Sequence, residues 1–193
     1  MKRQHIASMV IVSASIFVVG ITLAAQDRFT LKSPNGIAFS EFKDYDAWQV
    51  IATSQPDDAG GCGSSPAPGC IKAIVGNPMM IKAYNDGIPA NGKSVPDGAV
   101  MAKIEWRKKH IPAGPASAYG VTVPGTYSEV SFMVKDSKRF PNTNGWGYAT
   151  FRYDAASDTF KAFGDSPAFA NTCHACHTLV KARDFVFTNY PKR

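Results

Sequence analysis

Residues 173–177 read Cys173-His174-Ala175-Cys176-His177. Two thiols two residues apart, followed at once by an imidazole, have the spacing of c-type haem attachment. The chemistry explains the spacing. The thiols add across two vinyl groups of one porphyrin, and the adjacent His177 falls under the iron as an axial ligand. A redox Cys-x-x-Cys usually sits near the start of a βαβ unit, not near a C-terminus. Half of a zinc site needs a second Cys/His cluster, and none is visible in the sequence. The expected cofactor is a covalently attached haem c, bound by Cys173, Cys176 and His177, with His177 as the metal ligand.

The N-terminal end points to export. Lys2, Arg3 and His5 precede residues 6–25, which carry no charge. Small Ala24 and Ala25 come before Gln26 and Asp27, as at a signal-peptidase site after Ala25. A retained anchor is the alternative, since such a stretch just spans a bilayer. Ser13, Ser15, Gly20 and Thr22 dilute its hydrophobicity and favour cleavage. The expectation is a signal peptide over residues 1–25 and a single haem domain over 26–193. That domain is placed in the periplasm, with no membrane contact beyond the signal segment. Loss of Lys2 and Arg3 takes the formal charge from +6 to +4, and haem propionates lower it further. With no Lys/Arg run, nothing argues for a nucleic-acid partner. There is no Ser/His/Asp triad and no phosphate loop either.

Cys62 and Cys70 remain once the haem pair is assigned, and a Gly/Pro-rich loop separates them. In an oxidising compartment they read as a disulfide clip. Its short loop limits the stabilisation to about 2 kcal/mol.

The elements that must hold this chemistry read as β-rich. With 16 Gly and 13 Pro, long helical patterns are interrupted throughout. Residues 99–106 alternate, with Val100, Ala102, Ile104 and Trp106 on one face and Met101, Lys103 and Glu105 on the other. Residues 127–135 set Val130, Phe132 and Val134 against Glu129, Ser131 and Met133. Residues 146–153 are aromatic on both faces, and 71–75 form a fourth strand. A turn at Pro96-Asp97-Gly98 leads into the first of these strands. Short helices are expected at 45–50, 78–85 and 171–181, the last capped by Asn171 or Thr172. The expected fold class is α+β, mainly β: a twisted antiparallel sheet with a few short helices. One face packs on helices and the other is free to cover the haem.

Several stretches then occur in a telling order: Asp44-Tyr45-Asp46-Ala47-Trp48, Val95-Pro96-Asp97-Gly98 with Lys103 behind it, and Val134-Lys135-Asp136. Trp146-Gly147-Tyr148, the haem motif and Asp184-Phe185-Val186-Phe187-Thr188 follow. Over nearly all of the exported chain this series resembles cytochrome P-460 and its relative cytochrome c′-β. The resemblance implies a homodimeric, mainly antiparallel β protein with a five-coordinate haem. His177 is then the proximal ligand, and the open distal side takes small nitrogen species. In cytochrome P-460 a lysine on the strand after this turn bonds to a porphyrin meso carbon, and Lys103 stands at that position. Its alternation points it away from the apolar face, as a haem contact requires. A solvated lysine is the alternative, and cytochrome c′-β lacks the bond.

The chain departs from the hydroxylamine-oxidising members at Ser131, where they carry a distal carboxylate. Serine hydrogen-bonds a ligand but accepts protons poorly near neutral pH. Glu129 shares its face but lies about 7 Å away along the strand. Met79, Met80, Met101, Met133 and His110 are conceivable sixth ligands, although Met is more often core filler. The leading expectation is oxidation of hydroxylamine or nitric oxide at an open haem site, with Lys103 and Ser131 as catalytic residues and slow turnover. The alternatives are nitric oxide binding without turnover and plain electron transfer. Expected partners are a small nitrogen-oxide ligand or substrate, an exported redox protein and a second copy of the chain.

Overall fold

Alternating apolar residues build most of this structure. In chain order the strands are β1 (Gln49–Ser54), the short β2 (Gly61–Cys62) and β3 (Ser65–Pro68), and β4 (Cys70–Gly76). β5 (Val100–Ile111), β6 (Val121–Lys135), β7 (Trp146–Asp154) and β8 (Thr159–Ala162) follow. Two α-helices, α1 (Pro78–Asn85) and α2 (Phe169–His177), complete the regular elements with several 3-10 turns. The computed structural model describes residues 26–56, 61–62, 65–115 and 117–191, with the backbone alone at 61–62 and 65–68. The expected signal peptide and the Cys62 side chain of the expected bridge lie outside the described residues.

The main sheet has six antiparallel strands in the order β1-β4-β5-β6-β7-β8. β2 and β3 pair with each other between its first two strands. The fold is therefore mainly β with a few short helices, as the sequence leads one to expect. All four expected strands are present.

On one face Ala102, Ile104, Val130, Phe132, Val134, Ala149 and Phe151 are buried. The 3-10 turns Phe39–Phe42 and Tyr45–Ala47 cover them. Phe42 stacks on Phe132 with ring centroids 3.7 Å apart, and Phe39 sits 4.7 Å from Phe151. This packed face is thus closed by aromatic 3-10 turns and not by α-helices. The opposite face carries Ile74, Met101 and Tyr148, and α1, α2 and the C-terminal segment gather there around Met80, Ala170 and Val186.

Three local expectations are corrected. Residues 45–50 form no α-helix: Tyr45–Ala47 is a single 3-10 turn, and β1 begins at Gln49. Val50 and Thr53 are β-branched and pair with Val75 and Ala73 of β4, which outweighs a weak helical pattern. The helix expected at 171–181 starts earlier, at Phe169, because Pro167 opens its first turn, with Phe169 N–H donating to Ser166 O. Asn171 and Thr172 lie inside α2 and do not cap it. Beyond His177 the chain tightens into a 3-10 stretch, Thr178–Arg183. The N-cap of α1 is Asn77, whose side chain accepts from Met80 N–H with Pro78 in the first turn.

Gly147 has a packing reason. A Cβ there would lie 2.4 Å from the Phe140 ring. Gly98 has a conformational one: at φ 89° it completes the turn into β5.

Truncating Phe42 to Ala removes the ring stacked on Phe132 and leaves a cavity against the sheet. Urea unfolding of the haem-bound protein should show a loss of about 3–5 kcal/mol.

Candidate functional site

Register brings the site together. Antiparallel pairing sets Ile74, Lys103, Ser131 and Thr150 side by side across β4, β5, β6 and β7. One step along, Lys72, Glu105, Glu129 and Arg152 form a second row, and on the other side Met101, Met133 and Tyr148 form a third. All three rows lie on the face away from the aromatic core.

Against this face stand α2 and the C-terminal segment, and between them is a cavity of about 490 Å³. Lys103, Glu129, Ser131, Cys173, Cys176 and His177 all line it. The residues singled out in the sequence are therefore brought together, although three come from the sheet and three from the helix. The remaining lining is mostly apolar, including Ile74, Met101, Met133, Phe163, Phe169 and Phe187. Of the conceivable sixth ligands only Met101 and Met133 reach it; Met80 is buried elsewhere, and Met79 and His110 are outside.

These residues fit a haem. The size and apolar walls suit a cofactor. The His177 ring lies 5.1 Å from Tyr148 and 5.0 Å from Phe187, measured between centroids. Its Nδ1 is 2.7 Å from Phe185 O. Only Nδ1–H can donate to a carbonyl, so Nε2 keeps its lone pair for a metal. Burial holds the His177 pKa below its ordinary value, an effect only partly opposed by that hydrogen bond, and nearby Lys103 acts in the same direction as burial. The imidazole is thus neutral, as a ligand must be. Burial raises the pKa of the Cys173 thiol, so the unliganded helix carries no reactive thiolate there.

Lys103 is half-buried, and its Nζ lies 2.6 Å from Glu105 Oε1. Burial alone would lower its pKa, but Glu105 and then Glu129 outweigh burial and hold it above the ordinary value. Ser131 Oγ is 3.0 Å from Thr150 Oγ1, so the two hydroxyls share a hydrogen bond at the cavity wall.

Two acidic residues matter more than sequence reasoning allowed. Glu105 is fully buried, lying 3.6 Å from Lys72 Nζ besides its contact with Lys103. Its signal was available: it is two residues from Lys103 on the same face. Glu129 is 6% exposed and lines the cavity, with Arg152 Nε 3.7 Å from its Oε2. Burial, and next the facing Glu105, raise the Glu129 pKa above 4.5, while Lys103 and Arg152 pull the other way. Tyr148 is the other residue missed; its hydroxyl is 3.2 Å from His174 Nδ1. Only its membership of Trp146-Gly147-Tyr148 hinted at a role.

An antiparallel sheet facing a short C-terminal helix, with two cysteines and a neutral histidine at one apolar cavity, is the site of a mono-haem c-type cytochrome. Comparison with protein families matches residues 42–188 to cytochrome P460, and the chain belongs to that family. A comparison with curated proteins gives no match.

Proteolysis of the wild-type protein should give a haem peptide that contains residues 173–177, and in the double variant Cys173→Ser/Cys176→Ser that segment should carry no haem.

Proposed function

We propose that this cytochrome oxidises hydroxylamine, with nitric oxide as a second ligand or substrate, and that Glu129 is its proton acceptor. One observation carries this reading: Glu129 is a buried carboxylate with a raised pKa at the same cavity as the haem-attaching residues. Oxidation of hydroxylamine to nitric oxide releases one proton for every electron removed, so the site needs a base beside the substrate. A carboxylate whose pKa is raised is, in its ionised form, a better base than an ordinary one.

When bound, the haem supplies a Lewis-acidic iron and an electron sink. Cys173, Cys176 and His177 hold it. Lys103 would hold it as well, as the family resemblance implies, through a bond from Nζ to a ring carbon that replaces one N–H and one C–H bond and gives up two electrons to a peroxide-class oxidant; Glu105 Oε1 lies 2.6 Å from that Nζ and would position it. Ser131, backed by Thr150, offers a hydroxyl to hydrogen-bond and orient the substrate. The apolar lining restricts water and favours small ligands.

The same proposal places the mature protein in the periplasm after removal of residues 1–25. There it works as a homodimer that passes electrons to an exported redox partner, with Cys62 and Cys70 bridged. The basic start and the uncharged stretch support export, the even cysteine count supports the bridge, and the homodimer follows the family resemblance.

Glu129→Gln should slow hydroxylamine oxidation by about 10²–10⁴-fold. Adding Ser131→Glu should recover part of the loss by supplying a carboxylate two residues away. The wild-type rate should fall as pH drops through the raised Glu129 pKa, because only the ionised form accepts a proton. That acid limb should lie above 4.5 and vanish in Glu129→Gln. Full activity in Glu129→Gln would refute the role.

Peptide mapping without reductant checks the covalent claims. The haem peptide should carry the segment around Lys103, and the Cys62–Cys70 loop should be lighter by its two thiol hydrogens. A haem peptide lacking Lys103 would favour nitric oxide binding without turnover.

A further inference from the structure

Two of the stretches that mark the family, Val134-Lys135-Asp136 and Asp184-Phe185-Val186-Phe187, meet in space. Lys135, at the end of β6, is 3% exposed. Its Nζ lies 2.9 and 3.1 Å from the two carboxylate oxygens of Asp184 and donates to Asn144 O at 3.0 Å. It also sits 4.9 Å from the centre of the Trp146 ring. Asp184 Oδ2 accepts from Val95 N–H at 2.7 Å and from Ser94 Oγ at 3.0 Å. Three residues from two separate segments therefore grip one carboxylate.

The backbone at that grip is unusual. Asp184 has φ 45° and Phe185 φ 65°. The left-handed region is disfavoured for any residue with a Cβ, and two in succession persist only where the surroundings impose them. The carbonyl of the second, Phe185, accepts the Nδ1–H of His177. The ion pair pins the backbone that orients the imidazole.

We propose that the Lys135–Asp184 pair is the positioning device for His177 and sets its strength as an iron ligand. A hydrogen bond at Nδ1 makes Nε2 a stronger donor, and a stronger donor favours ferric over ferrous iron. Neither Lys135 nor Asp184 lines the cavity, and their hydrogen-bonded route to His177 runs through the Phe185 carbonyl. The inference rests on His177 being the axial ligand.

The test uses the haem-bound protein. Asp184→Asn and Lys135→Met each remove one charge of the pair, and Lys82→Met removes an exposed charge as a control. The readouts are the iron–histidine stretching band of the ferrous protein and the midpoint potential. Both pair variants should lower the stretching frequency and raise the potential, while the control should move neither. The double variant should shift no further than the larger single shift, because one interaction is lost in each case. Ser94→Ala deletes a single exposed donor to Asp184, so it should fold normally and give a smaller shift in the same direction; it decides the matter if the pair variants do not fold. Unchanged frequency and potential in the folded variants would overturn the inference. Persistence of the wild-type band in His177→Ala would instead overturn the ligand assignment beneath it.

Discussion

The pairing register of β4 through β7 is the constraint on which the rest of the molecule depends. Side chains alternate strictly between the two faces of a sheet, so a slip of one residue exchanges the contents of both. Here one face is an aromatic core sealed by Phe39, Phe42 and Tyr45, and the other presents Lys103, Ser131 and Glu129 to the cavity. A slip in β6 alone would drive Glu129 and Ser131 into the aromatic cluster and turn Phe132 toward the haem side. The buried aromatic rings therefore fix the chemistry indirectly: they make every other register costly.

The charged row on the cavity face has no comparable stabilising reason. Glu105 is completely buried, and Glu129 faces it directly across the β5–β6 pair. Like charges opposite each other on neighbouring strands destabilise a sheet. Lys72, Lys103 and Arg152 offset this, but well-packed apolar residues in the same places usually serve stability as well or better. The row makes sense as site chemistry. Burial, and next the facing Glu105, disfavour the charged form of Glu129. Glu129, the member at the cavity, is the one held above the usual carboxylate range.

Much of this was legible in the sequence because it depends on local rules. The alternation in β5 and β6 assigned Lys103, Ser131 and Glu129 to one face, and the Cys-x-x-Cys-His spacing is chemistry written at short range. Tertiary pairing was less visible. Nothing near Gln49 announces that β4 will lie beside it, so a short amphipathic pattern passed for a helix. Pro167 overrode the better capping side chains of Asn171 and Thr172. Glu105 reads as an ordinary strand carboxylate until register sets Lys72 on one side of it and Glu129 on the other. Lys135 and Asp184 were visible only as members of separate motifs, because an ion pair between residues 49 apart in sequence leaves no local signature.

The two walls of the cavity thus have opposite electrostatic characters. On the helix side His177 is neutral, its Nδ1 hydrogen bond ends on a backbone carbonyl, and the nearby ion pair has its ammonium bound by a carboxylate and a carbonyl at once. Each of these polar groups has a defined hydrogen-bond partner. On the sheet side two carboxylates and two cations share one row, Lys103 reaches Glu105 from the next, and a change of charge at Glu129 alters the interactions among them. The oxidation proposed above, in which the metal ligand stays constant while protons are released, would need that division. The fold supplies it by drawing the ligand from a short helix and the acids from a sheet whose register cannot move.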